Sequence, residues 1–220
     1  MLTAWVASRE CPRASRLLDI GAGIGSVGLM TLWRMPMTTT LVAVEVQEIS
    51  HRLMRQTVEN NGLGERVTLR LGDLRDPTSV PEVGVFDLVT GSPPYIPLGK
   101  GVVSPHPQRA GARMELRGTI ADYAVTAARA LAPGGRFVVC FPAADPRGVA
   151  AISAAGLHLR VRQDIVFRPY EPPLISIMVA AHEPGPTEYR PIFRIRDDAG
   201  VWTEPYLDVR EEMGTVLNRI

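Results

Sequence analysis

Leu17-Leu18-Asp19-Ile20-Gly21-Ala22-Gly23-Ile24-Gly25-Ser26-Val27-Gly28 is the stretch that decides how this chain folds. A short apolar run enters a turn with glycine at every second position, and Val27, Met30 and Trp33 then recur at helical spacing. Glycines at such a junction let the backbone approach a ligand and leave the helix's first N–H groups aimed at it. Read literally, Gly23 to Gly28 matches the dinucleotide pattern G-x-G-x-x-G, but it begins too late after the strand. Counted from Gly21, Ser26 stands where the third glycine belongs, so the pattern is D-x-G-x-G-x-G. Asp19 at the strand end is then expected to face a cationic or amine-bearing ligand. A second apolar run, Leu41 to Val46, carries Glu45 near its tip. A carboxylate there can accept both hydroxyls of a ribose; taken singly, such a residue is more often a solvated carboxylate at a helix start.

Working outward, strand and helix patterns alternate. Ile49, Leu53 and Val58 have helical spacing and stop at Asn61-Gly62. Val67, Leu69 and Leu71 alternate with polar residues as a strand, and Val85 to Val89 is another. Thr119 with Asp122 resembles a capping box before the stripe Ile120, Ala124, Ala127, Leu131, and Pro133-Gly134-Gly135 breaks that helix before a strand at Arg136 to Phe141. A helix over residues 146–155 and strands at Leu157 to Phe167 and Leu174 to Ala181 follow. Repeated βα units predict an α/β fold, a mostly parallel sheet with helices on both faces. The 220 residues fit one domain, 1–220, with a short N-terminal segment (1–15) and a C-terminal appendage (184–220) after the bend at Pro184-Gly185-Pro186.

Gly91-Ser92-Pro93-Pro94-Tyr95 follows the strand ending at Val89. Two prolines cannot continue a ladder, so the loop is stiff, with one hydroxyl, free carbonyls and an aromatic face. Such a loop suits a flat group bearing an amine, with Tyr95 stacked on it, although a structural Pro-Pro turn satisfies the same local rules. Arg109, Arg113 and Arg117 have i, i+4, i+8 spacing, which puts them on one face of a helix beside Lys100 and makes them candidates for phosphate contact. Gly111 weakens that helix, and Glu115 offers a simple neutralising partner. Arg194 and Arg196 form a weaker second patch.

The formal net charge of +1 gives no global pull toward nucleic acid, and all basic residues but Lys100 are arginine. Cys11 and Cys140 lie far apart, so a disulfide framework is not expected. His51, His106, His158 and His182 show no ligand spacing, and no metal is expected. The start of the chain lacks a basic leader, and no run is apolar enough to span a membrane; the cytoplasm is the expected compartment.

Taken together, Asp19-Ile20-Gly21-Ala22-Gly23-Ile24-Gly25, Glu45, Gly72-Asp73-Leu74 and Ser92-Pro93-Pro94-Tyr95 resemble the ordered motifs of class I S-adenosylmethionine-dependent methyltransferases. More closely, the chain resembles bacterial tRNA adenine-N6 methyltransferases of the valine-tRNA type. That likeness rests on Ser92 to Gly99, Ser104-Pro105, Arg109 to Leu116 and Arg194 to Thr203. The resemblance implies a Rossmann-like fold of seven strands with the last antiparallel. It implies S-adenosylmethionine held by Asp19, Gly21, Gly23, Gly25, Glu45, Asp73, Leu74 and Ser92. It further implies catalysis at Ser92, Pro93, Pro94 and Tyr95, with RNA, as tRNA, contacted by Tyr95, Lys100, Arg109, Arg113 and Arg117. Asp73 takes its role with the cofactor's adenine amine from this likeness; otherwise it reads as a strand-end turn carboxylate. Two features depart from the family: Ser92 stands where Asn is usual, as in some cytosine amino-methylating enzymes, and residues 1–15 are shorter than the usual leading segment. The second departure predicts a truncated start or a more open cofactor site. Transfer to a small molecule or a protein glutamine, and a non-catalytic cofactor-binding subunit, are the other readings. Nothing in the sequence fixes an oligomeric state.

Overall fold

The computed structural model describes residues 1–100 and 104–215; the last five residues of the expected appendage, 216–220, lie outside them. Five strands run parallel through the centre: β1 (Arg16–Ile20), β2 (Thr40–Glu45), β3 (Val67–Leu71), β4 (Phe86–Gly91) and β5 (Leu131–Pro142). With β6 (His158–Val166) and β7 (Ile175–Ala181) the order is β3-β2-β1-β4-β5-β7-β6. Strand β7 is antiparallel to both β5 and β6, as expected of the last of seven. The order reverses beside β1, where β2 lies on one side and β4 on the other, which is where α/β sheets open a ligand crevice.

Alternation along each strand sends neighbours to opposite faces. Leu17, Leu41 and Leu88 join Val6, Leu32, Met54 and Val209 on one face. These come from α1 (Leu2–Glu10), α2 (Gly28–Arg34), α3 (Glu48–Asn60) and α7 (Glu204–Glu212). Leu18, Val89 and Phe137 join Ile120, Ala127 and Ile152 on the other, from α5 (Ile120–Ala130) and α6 (Arg147–Ala154). Helix α4 (Pro107–Arg113) follows the Pro93-Pro94 loop. The Thr119 N–H donates to the Asp122 carboxylate at 2.7 Å, forming the expected capping box of α5.

Two expectations are corrected. Among the described residues the sheet has nine strands, because the chain returns along the open edge of β6 and adds β8 (Glu188–Tyr189) and β9 (Phe193–Arg194) there. Pairing those edge groups removes a template for association with other chains. Leu131 belongs to β5, not to the preceding helix: the pairing shifts from Phe86–Leu131 to Leu88–Arg136, and Pro133-Gly134-Gly135 bulges out between. Helices also occupy both terminal segments. The Trp5 indole N–H of α1 donates to Glu212 of α7 at 2.9 Å, and Phe193, Ile195, Val209 and Met213 join the same core as Leu17.

Candidate active site

Because the central strands run parallel, their C-terminal ends meet at one edge, and a cavity of about 530 Å³ opens there over β1, β2 and β4. Its base is the glycine loop. Gly21 has φ +61°, and a Cβ there would lie inside the Tyr123 hydroxyl, so the loop passes this ring only as glycine. Gly23 has φ +59° with open space where a Cβ would project. Glu45, 4% exposed, ties the loop to β2: its Oε2 accepts from Gly23 N at 2.8 Å and its Oε1 from Gln47 N at 2.7 Å. Asp19, 1% exposed, does the same for β1, accepting from Gly28 N at 2.9 Å and from Thr90 Oγ1 at 2.8 Å.

Burial pushes the Asp19 carboxyl up from 3.8 to about 7, against the hydrogen bonds from Thr90 and Gly28. The folded chain therefore binds more protons than the unfolded chain between those values, and rising pH erodes stability across that window. An asparagine side chain accepts from Gly28 N and donates to Thr90 Oγ1. Asp19→Asn should therefore flatten the fall in melting temperature between pH 5 and pH 8, gaining on the parent as pH rises. Parallel pH profiles for the two proteins would show that Asp19 titrates normally.

Ser92 and Pro94, just past β4, form part of the same cavity wall. The loop beyond them is clasped from behind. Tyr95 N and Ile96 N donate to the Arg113 carbonyl, and Glu115 N donates to the Ile96 carbonyl at 2.9 Å. Arg147 sits over the Phe141 ring and pairs with Glu115 at 2.7 Å and Asp145 at 2.6 Å, while reaching the Tyr95 carbonyl. The Tyr95 ring meets Phe141 edge-on at 5.7 Å, and its hydroxyl lies 3.2 Å from Cys140 Sγ. On the opposite wall, Gln108 of α4 donates to Ser50 Oγ at 3.0 Å.

A family model described as "Methyltransferase small domain" matches residues 4–143. The chain belongs to that family. It is an S-adenosylmethionine-dependent methyltransferase. A protein of Cronobacter sakazakii named tRNA1(Val) (adenine(37)-N6)-methyltransferase is 27% identical over 186 residues, 84% of this chain and 74% of its own. One of the same name from Shewanella frigidimarina is 26% identical over 224 residues, 95% of this chain and 87% of its own. Among solved structures, a predicted O-methyltransferase of Agrobacterium tumefaciens shares the fold with a TM-score of 0.71 at 19% identity, covering 96% of this chain and 95% of that one.

In this methyltransferase the glycine loop, Glu45, Leu74 and Ser92 converge on one cavity, whose size is in the range that encloses nucleotide-sized ligands. The open backbone at Gly23 and the carboxylate beside it suit a nucleoside joined to an amino acid. Asp19 lines the cavity as well, and its two oxygens, like those of Glu45, also brace the loop, through Gly28 and Thr90. Other expected residues lie outside the lining. Gly25 packs against Leu29 and Met54, outside the wall. Asp73 is turned onto Arg75 at 2.6 Å, and that hydrogen-bonded pair lowers its pKa; Gly72 and Leu74 form the wall there. Pro93 and Tyr95 adjoin Ser92 and Pro94 without lining this cavity.

The arginine series is also corrected. Helix α4 ends at Arg113, whose carbonyl is taken by Tyr95 and Ile96, so Arg117 lies off the helix. Arg117 donates instead to the Val46 carbonyl at 3.3 Å and lines the cavity, as does Arg109. Lys100 and Arg113 remain exposed. In the second patch, Arg196 donates to the Gly200 carbonyl and stacks on Trp202, leaving Arg194 beside Asp197 and Asp198 in a shallow hollow. Residues 1–15 contribute nothing to the cavity, whose cover is the segment carrying α4. Sequence reasoning missed the site roles of Thr90, Ser50, Tyr123, Cys140 and Arg147; Cys140, in the apolar run Phe137 to Phe141, and Tyr123, beside the helical stripe of α5, carried a local signal of burial. Among the described residues, no helix is long and apolar enough to cross a membrane, and no group of three or more His, Cys, Asp or Glu is arranged to hold a metal.

Proposed function

We propose that this methyltransferase modifies the exocyclic amine of adenine in tRNA or another structured RNA of the cytoplasm. One observation carries the reading: Ser92 and Pro94 share a wall with the glycine loop and Glu45, so an amine at the Pro-Pro loop abuts the donor cavity. The relatives named as tRNA adenine-N6 methyltransferases support RNA as the acceptor.

The backbone of Gly21 to Gly28 and the carboxylate of Glu45 would hold S-adenosylmethionine, with Leu74 flanking its base. When bound, that cofactor supplies an electrophilic methyl group on a sulfonium centre. An adenine amine is a poor nucleophile because its lone pair is delocalised into the ring. Ser92 Oγ and the Pro93 carbonyl accept its two N–H groups, which favours a pyramidal nitrogen and aims the lone pair. Two prolines and the Arg147 clasp hold those acceptors still, so the chain contributes positioning and fixed dipoles. Tyr95 offers a face on which the base stacks. Exposed Lys100 and Arg113 contact phosphate, with Arg109 and Arg117 at the cavity rim.

The test is labelled methyl transfer into unmodified tRNA. The parent should transfer; Ser92→Ala should lose turnover with cofactor affinity intact; Tyr95→Ala should weaken acceptor binding by about 1–3 kcal/mol. Equal rates in all three proteins sink the assignment of this loop. Transfer to small amines or to a protein but to no RNA sinks the acceptor class, and tight cofactor binding with no transfer at all points to a partner subunit.

A further inference from the structure

We infer that Cys140 is a positioning residue of the acceptor site, fixing the direction of the Ser92 hydroxyl and the setting of the Tyr95 ring. The inference rests on Ser92 receiving the acceptor amine, and it assigns a role to a thiol that nothing else in the site explains. Cys140 lies near the end of β5, buried among apolar side chains, with its Sγ 3.3 Å from Ser92 Oγ and 3.2 Å from Tyr95 Oη. One sulfur thus touches the two polar side-chain atoms of the acceptor loop.

The chemistry of a hydroxyl makes this contact matter. A serine oxygen is both donor and acceptor, and its hydrogen rotates to whatever partner is near. Held toward an incoming amine, that hydrogen would meet an N–H head-on and repel it. Cys140 Sγ takes the Ser92 O–H as a weak acceptor, which leaves the oxygen's lone pairs directed at the amine. Tyr95 keeps its proton, because burial raises its pKa, and its O–H is also within reach of the sulfur. With the hydroxyl end anchored there and the ring edge against Phe141, the aromatic plane cannot swing freely.

A role confined to core packing would move stability and cofactor affinity; a positioning role moves turnover. Cys140→Val keeps the volume and burial of a strand residue but offers no acceptor. It should lower kcat on tRNA roughly five- to tenfold, with KM for tRNA and Kd for S-adenosylmethionine unchanged. Cys140→Ser should restore most of that loss. In a Ser92→Asn background, where the amide oxygen needs no hydrogen parked elsewhere, Cys140→Val should have little further effect. An unchanged kcat in Cys140→Val overturns the inference, as does an equal loss in both backgrounds or a loss that tracks the melting temperature.

The infrared S–H stretching band reads the contact independently of any acceptor. Assigned by its disappearance in Cys140→Val, with Cys11 as internal reference, the band should shift in Ser92→Ala and again in Tyr95→Phe. A band indifferent to both changes overturns the inference even if the enzyme is fully active. A parent that methylates no RNA while the band shifts as expected overturns the proposed substrate and leaves the role of Cys140 standing.

Discussion

Gly21→Ala should remove measurable S-adenosylmethionine binding and lower the melting temperature more than any other single methyl group added to the loop. Two costs combine. The residue has φ +61°, where an L side chain is disfavoured by about 1–2 kcal/mol. Its Cβ would also occupy the place of the Tyr123 hydroxyl. That ring has little retreat, since it is 5% exposed, with one edge against Gly21 and Gly91 and the other toward Gly118, so overpacking adds about 1–3 kcal/mol. The control is Gly23→Ala, which has nearly the same φ but meets nothing within 4 Å. Its melting temperature should fall only by the conformational part. Equal losses in the two variants would show that Tyr123 yields and that the collision is not what conserves the loop's shape. Calorimetric titration of Gly21→Ala with the cofactor gives the binding result directly.

Glu45→Ala ranks next. Truncation removes the carboxylate on which a ribose would be held, and it also orphans two backbone donors, Gly23 N and Gln47 N, in a buried corner. Loss of the charged acceptor should weaken cofactor binding by about 1–3 kcal/mol, about one to two decades, and the orphaned donors should lower stability beside it. Glu45→Gln should recover only part of this, because its amide nitrogen must face one of the two donors. Unchanged affinity in Glu45→Ala, measured by calorimetry, would take Glu45 out of the cofactor site.

The parallel core was legible because its signals are local. A strand, a glycine turn and a helix start are written consecutively from Leu17, and each later βα unit repeats that grammar. The residues at the strand tips, Glu45 and Ser92, were legible for the same reason. The distant partners of Asp19 and Ser92 were not: Thr90 meets Asp19 across 71 positions and Cys140 meets Ser92 across 48, distances over which a sequence pattern says nothing. Helix α1 escaped notice because Leu2, Thr3, Ala4, Val6, Ala7 and Ser8 are all buried, leaving no polar face to betray a helical period. Helix α7 failed in the opposite way, burying only Val209. The arginine series misled because spacing shows which residues would share a helix face, not where a neighbouring loop takes the carbonyls and stops the helix.

The contact between α1 and α7 bears on how the chain is made. Trp5 and Glu212 are 207 positions apart, so at ribosomal rates the partner of the first helix is synthesised roughly 10–40 s after it. Over that interval the strands beneath α1 are completed one by one, while its indole N–H and the neighbouring Arg9 have no carboxylate to meet. A protease acting during translation should therefore cut near residue 10 in stalled chains lacking α7 and spare the same bond once residue 212 has emerged.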